Sequence, residues 1–266
     1  MIDPISNKIM QGAGQHGPVV LMYHSITTGN TTPQWPWAIS FERFLTHLDL
    51  LQKFGWNTIC MRDFLQPENI PPRAVAITFD DGYLDNLVAF EELARRKMSA
   101  TCFVVSGDIG ERSRWPEPGR EPQTMLNAQH LKTMHDNGME IGSHSRSHFH
   151  LTEVDDETLH SEVIHSKGDI EDILGQPVVS FAYPYGQENE RVVNMVREAG
   201  YQVACNTSTG WALTGNDLMR MRRLTVYGKD SASILARKLA FGDIDVDWPR
   251  MLRYICRRVT NRFSRG

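Results

Sequence analysis

The segment Thr78-Phe79-Asp80-Asp81-Gly82 sets two adjacent carboxylates at the end of an apolar run, ahead of a glycine suited to a tight turn. Side chains alternate in direction along a strand, so both carboxylates reach one site only where the pleat breaks. Alone, the pair reads as a turn and the N-cap of the next helix. Further along, His144-Ser145-Arg146-Ser147-His148 places two imidazoles four positions apart, with His150 just beyond, in a chain that has 10 histidines. Two neutral imidazoles and one carboxylate form a donor set suited to Zn²⁺, and Co²⁺, Ni²⁺, Mn²⁺ or Fe²⁺ fit the same atoms. Three protein ligands leave a position for water, as in catalytic rather than structural metal sites, and a carboxylate left over beside that water can be its base.

The elements that must position these residues follow from hydrophobic periodicity. Apolar β-type runs at 19–23, 57–60, 74–79, 100–105, 139–143, 178–183, 201–205 and 224–227 alternate with helical patterns. The first helix starts behind Ser40 and carries Phe41, Phe44, Leu45, Leu48 and Leu51; others are expected at 84–97, 127–137, 157–174, 189–199 and 231–241. Seven to eight β/α units suit a parallel barrel, although a doubly wound sheet fits the count. The barrel is favoured because Asp80-Asp81, His144 and Pro184-Tyr185-Gly186 each follow a strand directly, and parallel strands bring such ends to one face. Residues 106–125 lack periodicity and read as a long loop of the kind that covers active sites.

Composition narrows the class. With 41% apolar and 23% charged residues among 266, the chain is an ordinary globular protein, not collagen-like, disordered or multi-spanning. Its net charge of −4 provides no global attraction to nucleic acid. Cys60, Cys102, Cys205 and Cys256 form no C-x-x-C pair and are expected as buried free thiols. The first apolar run, 19–23, is too short for a signal-peptide core or a membrane span, which points to the cytoplasm.

Taken in order, TFDDG, HSRSH and FAYPYG resemble the motifs of the polysaccharide deacetylases, the NodB-homology carbohydrate esterases. The likeness extends over residues 18–227, and the openings PVVLMYHSI and SFERFLTHLDLLQKFGW look most like the branch acting on exopolysaccharides and biofilm poly-N-acetylglucosamine. The resemblance implies an α/β fold, a distorted (β/α)7–8 barrel over 18–242, with an N-terminal extension at 1–17. It also implies metal-dependent removal of N-acetyl groups from amino sugars. Carried over by residue, it makes Asp80 the general base and Asp81, His144 and His148 the metal ligands, with a backbone N–H near Tyr185 facing the oxyanion.

Two departures from the family pattern need replacements. The arginine that often precedes the proline of the third motif is absent from Phe181-Ala182-Tyr183, and Arg223 is the expected partner of Asp80 instead. The late Leu-x-His that often supplies the general acid is absent from Leu224-Thr225-Val226, so His24, at the end of the first strand, is the expected acid. His150 is either a hydrogen-bond partner of a liganding histidine or an exposed loop residue. Trp35, Trp37, Trp115 and Trp211 either stack on sugars or pack in the core and rim. Trp248, Leu252, Ile255, Val259 and Phe263 make a helical stripe among arginines, so 243–266 reads as a basic amphipathic helix. It either packs on the barrel or lies at an anionic membrane surface, and the second case favours a lipid-linked glycan as substrate. Competing readings are an O-deacetylase, a small amino-sugar deacylase using the same site, or a non-catalytic carbohydrate-binding relative.

Overall fold

Central strands of this protein are buried at every position, as parallel strands covered on both faces must be. The computed structural model describes residues 2–29, 33–116, 120–213 and 217–249. In chain order the strands are β1 (Val19–Tyr23), β2 (Ser25–Thr27), β3 (Ala38–Ser40), β4 (Asn57–Ile59), β5 (Ala74–Phe79), β6 (Thr101–Val104), β7 (Glu140–Ser143), β8 (Ser180–Ala182), β9 (Val203–Cys205) and β10 (Leu224–Thr225). The α-helices are α1 (Pro4–Gln11), α2 (Phe41–Lys53), α3 (Leu87–Arg95), α4 (Ala128–Asp136), α5 (Asp156–His160), α6 (Ser166–Leu174), α7 (Glu190–Glu198) and α8 (Ala232–Phe241). One parallel sheet has the order β10-β1-β5-β6-β7-β8-β9, while β2 and β3 pair separately.

The sheet curls into a distorted barrel, and two features mark the distortion. Strand β5 shares one edge between two neighbours, β4 beside Ala74–Ala76 and β6 beside Thr78 and Phe79. Closure is achieved by a short stretch, not by a full strand: Met221 exchanges backbone hydrogen bonds with β9, and Leu224 and Thr225 then pair with Leu21 and Met22 of β1. Alternation along each strand separates two apolar layers. Leu21, Val75 and Ile77 join the large cluster beneath the helices, whereas Val20, Ala76, Phe103, Ala182 and Cys205 form a smaller one on the inner face. By the same parity the inner rows continue upward through Thr78 to Asp80 and through Met22 to His24.

Most expected elements are present, with informative differences. Ser40 caps α2 by accepting from the Arg43 N–H at 3.3 Å. The helix expected at 84–97 begins as a 3₁₀ turn, Leu84–Asn86, before α3. The one expected at 157–174 is interrupted by a π-helical turn, Ser161–His165, between α5 and α6. Residues 4–11, expected only as part of an extension, form α1, capped by Asp3 and packed on α8. The β2–β3 pairing, between two three-residue strands outside the main sheet, was not foreseen. The amphipathic stripe expected over 243–266 and Cys256 lie largely or wholly outside the described residues. Cys60, Cys102 and Cys205 are buried free thiols. No helix among the described residues is long and apolar enough to cross a membrane.

Candidate active site

At the end of β5 the chain breaks its pleat in one step. The Asp80 N–H donates to the Tyr23 carbonyl at 3.0 Å, which extends the ladder with β1 by one residue. Asp81 then takes φ 73°, and the Gly82 N–H closes on the Asp80 carbonyl at 2.9 Å. This is a three-residue turn of the rarer, strained hand, and it lets two consecutive buried carboxylates face one site. Strain is concentrated here: Asp81, Ser145, His148 and Tyr185 are four of the six non-glycine residues with positive φ among those described.

Strand β7 delivers His144, and the left-handed residues Ser145 and His148 coil the following segment so that His148 returns to the same place. The Nε2 atoms of His144 and His148 lie 3.5 and 3.3 Å from Asp81 Oδ1. Ligand atoms of all three residues lie within 4.8 Å of one another. His144 Nδ1 is 2.7 Å from the Ala182 carbonyl, which can only accept, so Nδ1 carries the proton. Burial pushes the His144 pKa down to about 4, leaving the ring neutral and its Nε2 lone pair aimed toward a carboxylate. Two electron-rich groups face to face are a poor arrangement without a cation between them, and the donor set fits a divalent ion. Burial works to raise the Asp81 pKa, but the hydrogen bond and charge of His148, followed by His24 and His144, hold it below the usual carboxylate range.

Asp80 is answered from the barrel seam. Arg223, completely buried, donates from both terminal nitrogens to the two Asp80 oxygens at 2.6 and 2.8 Å. Its Nε–H donates to the Asn206 carbonyl at 2.8 Å, which aims the guanidinium plane. Burial opposes ionisation of Asp80, yet the charge of Arg223, that of His144, the Arg223 hydrogen bonds and the charge of His24 together outweigh it and hold the carboxyl low. The pair expected from the missing motif arginine is therefore formed in the structure, across a sequence separation of 143 residues.

A cavity of about 440 Å³ opens over these groups, lined by Asp80, Asp81, His144 and His148 and by His24, Trp35, Trp37, Tyr185 and Tyr227. The His24 carbonyl accepts from Asn86 Nδ2 at 2.6 Å, and Asn86 Oδ1 accepts from the Ile26 N–H at 3.0 Å, bracing the turn between β1 and β2. His24 Nδ1 is buried without a hydrogen-bond partner among the described residues. The third motif makes the turn Pro184–Gly186, in which Tyr185 has φ 57° and its ring packs on His148 at 4.5 Å. A Cβ on Gly186 would lie 2.1 Å from Thr207 Oγ1 and 2.6 Å from Thr207 N, so the turn can seat there only with glycine.

Other expectations divide. Trp35 and Trp37 line the cavity, whereas Trp115 is buried and stacks on His148 at 4.6 Å, and Trp211 packs against His16 instead. His150 hydrogen-bonds Gln187 and stacks on Tyr185 at 3.8 Å; it does not serve as the partner of His144 or His148. Asn86, Thr207 and Tyr227 were not singled out from the sequence. Tyr227 lies two residues beyond β10, near enough for the strand-end rule that located Asp80 to reach it, whereas Asn86 ends the 3₁₀ turn Leu84–Asn86, beyond that rule. Arg120, also missed, comes from the long loop and lies over the rings of Trp35 and Tyr83 at 4.2 and 4.4 Å, drawing that loop to the cavity rim. Aperiodic loop composition holds no signal for such a contact.

The sequence profile of the polysaccharide deacetylases matches residues 68–204. YxkH of Bacillus subtilis, named among the polysaccharide deacetylases, is 28% identical over 212 residues, covering 78% of this chain and 70% of that protein. The poly-β-1,6-N-acetyl-D-glucosamine N-deacetylase of Staphylococcus aureus is 22% identical, over 62% of this chain and 59% of the enzyme. The structure of IcaB from Ammonifex degensii superposes with a TM-score of 0.70 at 25% identity, covering 86% of this chain and 98% of that one. The profile spans a little over half of the 266 residues and contains all three motifs, and on that ground the chain belongs to the polysaccharide deacetylase family and is a deacetylase.

Proposed function

We propose that this deacetylase hydrolyses the N-acetyl groups of amino sugars in an exopolysaccharide or its lipid-linked precursor, with residues 18–242 as the catalytic unit and Zn²⁺ as the bound ion. The observation that carries the reading is the ionised Asp80–Arg223 pair beside the Asp81, His144 and His148 donor set in one cavity. The relationship to the Staphylococcus aureus enzyme supports an N-acetylglucosamine polymer. Trp35 and Trp37 offer apolar faces of the kind on which pyranose rings stack.

An ion held by Asp81, His144 and His148 supplies Lewis-acid polarisation of the acetyl carbonyl and acidifies a water. Asp80 takes the proton of the attacking water on a carboxylate oxygen, while Arg223 keeps that carboxylate ionised and fixed in plane. The backbone N–H at Tyr185 donates to the developing oxyanion, an interaction worth on the order of 3 kcal/mol. His24 donates a proton to the departing amine. Its position on the inner row beside Asp80 supports that role, and its neighbours Trp35 and Trp37 limit solvent access.

Acetate release from N-acetylated oligosaccharides, measured alongside bound metal, tests the assignment. Asp80→Asn is expected to abolish turnover with metal content unchanged, and His144→Ala to lose both; full activity in either variant overturns it. His24→Gln is expected to lose amide hydrolysis while retaining hydrolysis of an activated aryl acetate, whose leaving group needs no proton. Equal losses on both substrates would remove His24 from the role of acid. Comparing N-acetyl with O-acetyl sugars separates amide from ester specificity.

A further inference from the structure

Glu162 is a buried carboxylate that the proposed chemistry does not use. It sits in the π-helical turn Ser161–His165, a widened turn of a type that recurs at functional positions. One oxygen, Oε2, accepts from both the Arg146 N–H at 3.0 Å and the Ser147 N–H at 2.7 Å. Those two groups lie midway between His144 and His148. Successive N–H groups converge on one acceptor oxygen because Ser145 is left-handed, which shapes the segment into a small concavity of donors.

The opposite side of the segment is held as well. Ser106 and Gly107 donate their N–H groups to the Ser145 and Arg146 carbonyls at 3.1 and 2.9 Å. A Cβ on Gly107 would come within 2.6 Å of the Arg146 carbonyl oxygen, so the approach leaves no room for a side chain. The His148 N–H donates to Ser145 Oγ at 3.0 Å. Carbonyls therefore face one clamp and amides the other, and the carboxylate is the part of the amide clamp that a side-chain substitution can remove.

We propose that Glu162 is a positioning residue: by gathering the Arg146 and Ser147 amides it pre-forms the coiled segment that presents both imidazoles to a divalent cation. The inference rests on the reading of Asp81, His144 and His148 as metal ligands. It requires geometry at Oε2 and not negative charge, which separates two conservative variants. Glutamine keeps an acceptor at the same reach. Aspartate keeps the charge but falls one methylene short.

The test is Zn²⁺ affinity by isothermal titration calorimetry on the full, metal-stripped chain, with thermal unfolding recorded for each variant. Glu162→Ala and Glu162→Asp are each expected to weaken binding by about 10–100-fold, the usual cost of losing a group that orients a metal ligand, and Glu162→Gln to keep wild-type affinity. Val163→Ala, which trims the buried neighbour in the same turn, is expected to lower the unfolding temperature without changing affinity. Wild-type affinity in the aspartate variant would overturn the proposal, as would a loss in Val163→Ala matching that of the Glu162 variants. Should Glu162→Ala not fold, the aspartate and glutamine pair decides the matter. Zn²⁺ binding unaffected by His148→Ala would instead bring down the metal assignment, and this inference with it.

Discussion

Asp80 is enclosed, ionised and paired with one guanidinium, and among the groups that hold its carboxyl low the Arg223 charge is the strongest. Replacing Arg223 by Met leaves a buried charge without its partner and is expected to cost about 3–5 kcal/mol of stability, measurable by urea unfolding. In whatever activity survives, the sign of the pH effect follows from the proposed role. The base works when unprotonated, and losing the positive charge raises its pKa, so the acid limb of the kcat/KM profile moves to higher pH. An unmoved limb would mean that another group titrates. Arg223 was legible because the third motif lacked its arginine and the late strand offered one. The left-handed conformations of Asp81, Ser145 and His148 were not legible, since nothing in aspartate, serine or histidine demands positive φ; tertiary bonds impose it.

Among the elements, the turn Pro184–Gly186 has the least tolerance. Gly186→Ala drives a methyl against the Thr207 side chain and backbone, and the backbone cannot swing aside. The turn must shift, carrying the Tyr185 N–H with it. The expected outcome is a 10²–10³-fold fall in kcat, the scale of losing one oxyanion donor, with KM little changed. Steady-state kinetics on an N-acetylated oligosaccharide checks this, and a pure KM effect would assign the turn to substrate binding instead. Strand ends were the readable part of the site, because parallel strands deliver their C-terminal residues to one face whatever the loops do. Clamps such as Glu162 and Arg120 were not, because each joins segments whose proximity exists only once the barrel has formed.

For the whole molecule, His47 provides a pH response outside the site. Its Nδ1 accepts from the Tyr23 hydroxyl at 3.0 Å and its Nε2–H donates to the Asp230 carbonyl at 2.8 Å, tying α2 to β1 and to the approach to α8. Burial pushes its pKa down to about 4, so the neutral ring is the folded form. An unfolded chain takes up that proton near the ordinary value of about 6.5, and the folded chain does not. Stability is therefore complete above about pH 6.5 and is lost as pH falls toward 4, by about 3 kcal/mol from this group. Denaturant unfolding at several pH values should show His47→Gln less stable near neutrality but with a flatter slope over that window. An identical slope would assign the acid sensitivity elsewhere.

The stretch from Met221 to Thr225 joins the two edges of the sheet and carries Arg223 between its two attachments. Its consequence ties integrity to activity: a copy in which this stretch is undocked lacks the counter-charge beside Asp80 and, on the proposed role of that carboxylate as base, is expected to be idle.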